Sequence, residues 1–148
     1  GYVTHCNWFR VREASEGMVF YVFNMHLVYT GEVAREMSGI MLGQRIPRIS
    51  GKCPVIAVGD FNDSADSKVY ASMVSFMSDS RTRAKSVSGP YGTFNSFNPG
   101  YNFEKYRLDY MFVSGDVGVY TYRVVTDKVD GHFPSDHFPV QIYVNIKN

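Results

Sequence analysis

The stretch CPVIAVGDFND, residues 53–63, constrains the fold of this chain more than any other. Its segment PVIAV is short, apolar and partly β-branched, which predicts a strand buried in a sheet. The chain then passes through Gly59 into Asp60 and Asn62, so the strand ends in carboxylate and amide groups. In open α/β sheets, ligands lie outside the carboxyl ends of the strands, where loops present polar side chains. The stretch therefore predicts a strand that delivers Asp60 and Asn62 to a cleft.

A second predicted strand ends in the same way. The run MVFYVFNMHLV, residues 18–28, is apolar, bounded by glycines and too short for a typical helix. Side chains two residues apart share a face of a strand, so Asn24 and His26 project together. If the two strands are aligned, one edge of the sheet collects Asn24, His26, Asp60 and Asn62.

The remaining elements alternate helices and strands. A helix is predicted over residues 32–49, and Pro47 is expected to end it. The apolar stripe of this helix comprises Val33, Met37, Ile40 and Met41. After the strand at PVIAV come a helix over 67–76, a long polar loop over 78–106, and strands over 107–114, 117–126 and 138–146. This order predicts an α/β fold with a mixed β-sheet and helices on one face, in a single domain over residues 1–148.

A proline-flanked loop near the C-terminus carries two more candidate site residues. In GHFPSDHFPV, residues 131–140, Asp136 and His137 lie between two prolines and lead into the last strand. Asp109 interrupts the otherwise apolar strand RLDYMFVS, and a buried carboxylate is costly unless it is paired. His137 is the candidate partner of Asp109.

Composition and charge limit the classes of function. A formal net charge of +1 over 148 residues gives no long-range field for a polyanion, so nucleic acid is expected only as a substrate. The basic residues Arg81, Arg83 and Lys85 are interpreted as part of a solvated loop. Cys6 and Cys53 have no metal-binding spacing and leave the compartment open. No apolar run approaches the roughly 18 residues that span a bilayer, and the sequence has no signal-peptide pattern at its start.

Several alternative motifs are excluded by spacing. The segment DFNDSADSKVYA, residues 60–71, begins like a calcium-binding loop but has Ala65 and Ala71 where that loop requires Gly and Glu. The sequence contains no P-loop, no GxSxG elbow and no HExxH zinc motif. Asp63 is interpreted as a cap of the helix that follows rather than as a catalytic group.

Five motifs together carry a family resemblance. In order along the chain they are NMHLVYTGEVAREMSG, VGDFND, GTFNSF, RLDYMFVS and PSDHFPV. With this order and spacing the chain resembles the endonuclease/exonuclease/phosphatase superfamily, in particular bacterial metal-dependent hydrolases, many of which are secreted. The resemblance implies the deoxyribonuclease-I-like fold, a four-layer α/β/β/α sandwich, and it covers the C-terminal half of the family pattern. A secreted or periplasmic location is the expectation that follows.

The resemblance also implies a role for each matching residue. Asp60 resembles the carboxylate that orients and deprotonates the attacking water, and Asn62 resembles the amide that contacts a phosphoryl oxygen or the metal. His137 resembles a histidine that stabilises the phosphoryl oxygens and is held in its tautomer by Asp109. The remaining matches are His26 and Asn24 as phosphate-facing groups, Asp136 with Asp60 as metal ligands, and Arg35 as a structural residue of the helix.

These roles predict a metal-dependent phosphoester hydrolase, either a phosphodiesterase, a nuclease or a phosphatase. Carboxylate and amide ligands favour Mg²⁺, with Mn²⁺ or Ca²⁺ as substitutes. The family places a metal-binding Glu in an N-terminal half that these motifs do not include, so weak metal binding and low activity are expected. A non-catalytic interaction module that retains the fold is the alternative. Apolar sheet surface left uncovered predicts self-association or association with an N-terminal half, which a monodisperse monomer in light scattering at high concentration would contradict.

Overall fold

The computed structural model describes residues 4–146, so both ends of the predicted domain over 1–148 lie outside the described residues. The strands are β1 His5–Arg12, β2 Val19–His26, β3 Val55–Asp60, β4 Ser78–Asp79, β5 Ser86–Ser88, β6 Asp109–Val113, β7 Val117–Val124 and β8 Val140–Ile146. The helices are α1 Glu32–Ser50, α2 Lys68–Val74 and α3 Ser80–Arg83.

The strands form two sheets. One has five strands in the order β1-β2-β3-β6-β4, in which β2 and β3 are parallel and the other neighbours are antiparallel. The other has three strands in the order β5-β7-β8. The predicted α/β class with mixed strands is therefore confirmed. The chain nevertheless contributes to two sheets. Its own C-terminal strands therefore cover part of the sheet surface that the sequence predicted to be uncovered.

Helices α1 and α2 cover one face of the five-stranded sheet. Phe23 and Met25 of β2, Ala57 of β3 and Phe112 of β6 are buried there against Leu42, Ile46, Val69 and Met73 of the helices. Gly39 lets the helices approach closely, because a Cβ atom at this position would lie 3.0 Å from Ser72 and 3.1 Å from Val69. The sheet face that carries Asp60 is therefore opposite to the helices.

The predicted apolar stripe of α1 is not the side of the helix that packs into the core, so this prediction is wrong. Val33 is 72% exposed and Met37 is 58% exposed, and Ile40 and Met41 are exposed as well. The face that packs on the sheet contains Leu42 and Ile46. Both stripes have helical spacing, so periodicity identified a helix but not its buried side. The helix also continues past Pro47 to Ser50, because a proline in the last turn removes a single hydrogen bond.

The second face of the five-stranded sheet packs on the three-stranded sheet at one end only. Ile56 of β3 joins Val113, Val117 and Val119 in a cluster that Ile142 and Val144 of β8 complete. Towards the β1 edge this face is more open, and Phe9 of β1 is 57% exposed. The sequence did not predict β1. Among residues 4–146, no helix has both the length and the hydropathy needed to cross a bilayer.

Candidate active site

Three polar residues lie side by side at one end of the five-stranded sheet. The parallel pairing of β2 with β3 sets His26 beside Asp60, and the antiparallel pairing of β3 with β6 sets Asp109 on the other side of Asp60. The parallel pairing confirms the prediction that β2 and β3 end at the same edge of the sheet. The two pairings bring together charges that the sequence separates by more than eighty positions.

Asp60 lies in the middle of this row. Its Oδ2 atom is 3.4 Å from Nε2 of His26, and its Oδ1 atom accepts the backbone N–H of Asn62 at 2.8 Å. Burial, followed by the negative charge of Asp109, raises the pKa of Asp60 above its usual value. A carboxylate with a raised pKa is a stronger base, which suits the removal of a proton from water near neutral pH.

Gly59 permits the close strand packing that places Asp60. Its φ is +145°, and a Cβ atom at this position would lie 1.8 Å from the carbonyl oxygen of Met25. No side chain fits in that space. Any other residue at position 59 would therefore push β2 and β3 apart.

Asn62 follows in a left-handed conformation, with φ 51°. Its Nδ2 atom donates to the carbonyl oxygen of Leu27 at 3.0 Å, which ties the end of β3 to the end of β2. The amide oxygen is the hydrogen-bond acceptor of this side chain, and Asn62 lines the same cavity as Asp60.

Asp109 and His137 form the pair predicted from the sequence. The Nδ1 atom of His137 lies 2.7 Å from Oδ2 of Asp109. Since an ionised carboxylate only accepts, Nδ1 carries the proton and Nε2 is turned away from Asp109. The hydrogen bond to Asp109 raises the pKa of His137 above its usual value, so the ring stays protonated to higher pH.

Two residues of the GTFNSF motif hold this pair in place, and the sequence assigned them no role. The hydroxyl of Thr93 accepts the backbone N–H groups of Leu108 and Asp109, both at 3.0 Å. The Nδ2 atom of Asn95 donates to the carbonyl oxygen of Ser135 at 3.0 Å. Both side chains are fully buried. The only sequence signal for these roles was a Thr and an Asn within a long polar loop. Their partners lie too far along the chain for sequence spacing to predict these hydrogen bonds.

A cavity of about 690 Å³ opens over these groups. It is lined by His26, Asp60, Asn62, Asp136 and His137, and also by Tyr29, Phe94, Tyr101, Tyr106 and Leu108. Five of the seven predicted site residues therefore share one cavity. Asp109 and Asn24 are outside the cavity lining. Asp109 contacts His137, and Asn24 lies two residues before His26 on β2, where it is exposed beside Val58.

The cavity presents oxygen atoms of the chemical type that a hard divalent cation accepts. Asp60, Asn62 and Asp136 offer two carboxylates and one amide oxygen, which are ligands that Mg²⁺, Mn²⁺ and Ca²⁺ accept. Ligating atoms of Asp60, Asp109 and His137 also lie within 4.8 Å of one another. Metal binding to the latter set would compete with the 2.7 Å bond between Asp109 and His137. Asp60 and Asp136 are the two carboxylates that line the cavity and could ligate a cation there.

Arg35 fixes the two loops that border the cavity. Its Nε atom donates to Asp63 at 2.7 Å, and its Nη1 atom donates to the carbonyl oxygens of Val28 and Tyr29. Asp63 is therefore the partner of Arg35, and its interpretation as a helix cap is wrong. The residue that caps α2 is Ser67, whose hydroxyl accepts the N–H of Tyr70.

A buried ion pair lies behind the row of site residues. Both terminal nitrogens of Arg107 donate to the two carboxylate oxygens of Asp79 at 2.7 Å, and both side chains are almost fully buried. The hydroxyl of Tyr70 donates to the same carboxylate at 3.0 Å. Because Arg107 is two residues before Asp109, this pair anchors the start of β6.

The sequence matches the profile of the Endonuclease/Exonuclease/phosphatase family over residues 6–137. A family protein of known structure from Bacteroides thetaiotaomicron is 31% identical, with a TM-score of 0.90 over 97% of this chain and 56% of its own. A mannosyl-6-phosphatase from the same species is also 31% identical, with a TM-score of 0.88 over 95% of this chain and 57% of its own. A Bacteroides vulgatus family protein is 27% identical, with a TM-score of 0.88 over 96% of this chain and 55% of its own.

This chain thus spans a little more than half the length of the solved structures that it matches. No curated protein matches the sequence.

Proposed function

Because this chain belongs to the endonuclease/exonuclease/phosphatase family, we propose that its strand ends carry catalytic residues of a divalent-metal-dependent phosphoester hydrolase. The observation that supports this most is the row His26, Asp60 and Asp109, with His137 paired to Asp109. His26, Asp60 and His137 line one cavity. The mannosyl-6-phosphatase among the similar structures is consistent with a phosphoester substrate.

The proposed reaction is a direct attack of water on phosphorus. Asp60 accepts a proton from the water as its oxygen bonds to phosphorus, and the P–O bond to the leaving group then breaks. His137 and His26 donate hydrogen bonds to the phosphoryl oxygens, where negative charge increases in the transition state. The departing alkoxide takes up a proton from solvent, so atoms and charges balance.

Asp60, Asn62 and Asp136 would hold the divalent cation. When bound, it neutralises charge on the phosphoryl oxygens and orients the ester for in-line attack. Only two carboxylates line the cavity within residues 4–146, and Mg²⁺ requires near-octahedral oxygen coordination. We therefore expect the 148-residue chain to bind Mg²⁺ weakly, with water molecules completing the coordination shell.

Metal-dependent turnover of the 148-residue chain tests the proposal. With bis(p-nitrophenyl) phosphate and p-nitrophenyl phosphate, we expect a slow rate that grows through the millimolar range of Mg²⁺ and disappears with EDTA. The rate should increase as the pH rises through the pKa of Asp60, since the base acts in its ionised form. A rate that saturates at micromolar Mg²⁺ would contradict the weak metal site.

The second candidate function is a non-catalytic interaction module. The open sheet surface near Phe9 supports it, because exposed apolar surface marks sites of association. Complete absence of metal-dependent turnover, together with a stable complex of the chain with a partner or a second copy, would favour this function. We also propose that the chain associates with itself or with an N-terminal half, and that it is secreted or periplasmic.

A further inference from the structure

One side of the active-site cavity is a continuous aromatic wall. Three of its residues, Phe94, Tyr101 and Tyr106, come from the loop that the sequence left uninterpreted, and Leu108 extends them. Tyr29, from the loop after β2, lines the same cavity and is 77% exposed. None of these side chains takes part in the proposed hydrolysis.

The wall begins at the phosphate-facing histidine. The ring of Phe94 meets the ring of His137 edge-on, with their centroids 5.1 Å apart. From there the contacts continue through Tyr101, at 5.5 Å from Phe94, to Tyr106, at 6.0 Å from Tyr101. A group attached to a phosphoryl unit at His137 would therefore lie directly against this wall.

Hydrogen bonds hold the wall in place before any ligand binds. The backbone N–H groups of Thr93 and Phe94 donate to the carbonyl oxygen of Tyr106 at 2.8 and 3.1 Å, and that of Gly92 donates to Phe103 at 2.7 Å. Phe94 also forms a β-bridge with His137. A preformed apolar surface beside a few convergent polar groups is the usual construction of a small-molecule site.

The chemistry of the wall favours a hydroxylated ring. Its tyrosines combine ring faces for apolar contact with hydroxyl groups that donate and accept, and the Nζ atom of Lys105 lies 4.6 Å from the centre of the Tyr106 ring. The rings of Tyr101 and Tyr106 contact each other with their planes 33° from parallel, so a substrate ring would meet the two tyrosines as one surface.

We propose that Tyr101 and Tyr106 form a subsite for a sugar ring carried by the phosphoester, with Phe94 joining this subsite to the phosphate position. The placement of the phosphate rests on the proposed function, whereas the wall is a feature of the fold itself. A hexose phosphate is the substrate class that this arrangement fits.

Binding measurements by ¹H–¹⁵N NMR on the 148-residue chain test the subsite, with hexose 6-phosphate, glycerol 3-phosphate and adenosine 5′-monophosphate as probes. We expect hexose 6-phosphate to bind about 3- to 10-fold more tightly than glycerol 3-phosphate, which is the gain typical of aromatic contact. The double variant Tyr101→Ala/Tyr106→Ala should reduce this ratio to about 1. The control Tyr143→Ala, at an exposed position on β8, should retain it.

A ratio near 1 in the parent chain would overturn the subsite, as would a ratio that survives in the double variant. Tighter binding of adenosine 5′-monophosphate than of hexose 6-phosphate would also overturn it and would assign the wall to a nucleobase. A methyl glycoside without phosphate separates this proposal from the proposed function. Shifts confined to residues 94–106 with the glycoside, when no phosphate ester binds, would support the subsite and count against the hydrolase, and no shift with any ring would reject the subsite.

Discussion

Replacing Gly59 by alanine is expected to lower the free energy of unfolding by more than about 3 kcal/mol, because the new methyl group collides with the backbone. The Cβ atom would lie 1.8 Å from the carbonyl oxygen of Met25, far inside any contact that real Cβ atoms make, and φ is +145°. Relief requires β2 and β3 to separate at the row of site residues. Urea denaturation of the variant measures the loss.

Gly115→Ala is the matched control for this variant. No atom outside its chain neighbours lies within 4 Å of the position of its Cβ atom, so its stability should remain within about 0.5 kcal/mol of the parent. Equal stability of Gly59→Ala and Gly115→Ala would contradict the close approach of β2 to β3 at position 59.

Replacing Asp60 by asparagine is expected to reduce metal-dependent hydrolysis by about 100- to 10,000-fold, or to the uncatalysed rate. Asparagine retains an oxygen that accepts the N–H of Asn62, but it cannot take a proton from water. The fold should persist, and stability should be equal or higher, because burial and the charge of Asp109 disfavour the ionised form of Asp60. Initial rates with bis(p-nitrophenyl) phosphate, together with thermal unfolding, measure both effects.

Asp127→Asn provides the control for Asp60→Asn. Its side chain is 79% exposed, and its nearest cation is 3.9 Å away, so removing the charge should leave the rate unchanged. Equal rates for the parent chain and Asp60→Asn would show that Asp60 is not the base.

The row of site residues could be predicted from the sequence because it depends on local pattern. Strands β2 and β3 each change from apolar to polar at their carboxyl ends, and parallel alignment of the strands is sufficient to bring His26 and Asp60 together. The pairing of Asp109 with His137 followed from the cost of a lone buried carboxylate. These inferences required only the strand period and the chemistry of the side chains.

The surroundings of the row could not be predicted because they depend on distant contacts. Thr93 reaches Asp109 across 16 positions, and Arg107 reaches Asp79 across 28. The aromatic wall arises from the folding of a polar loop, in which single tyrosines have no period. The buried side of α1 was decided by the approach of α2 at Gly39, and hydrophobic spacing favoured the wrong side.

We expect the cavity above Asp60 to bind a divalent cation through Asp60, Asn62 and Asp136. Mn²⁺, which accepts the same oxygen ligands as Mg²⁺, broadens nearby NMR signals and therefore reports its own position. During a titration of the 148-residue chain, the amide signals of these three residues should broaden first, and Asp136→Asn should weaken the effect. Broadening centred on Glu32 and Glu36, two acidic residues of α1, or spread evenly over the chain, would contradict this binding site.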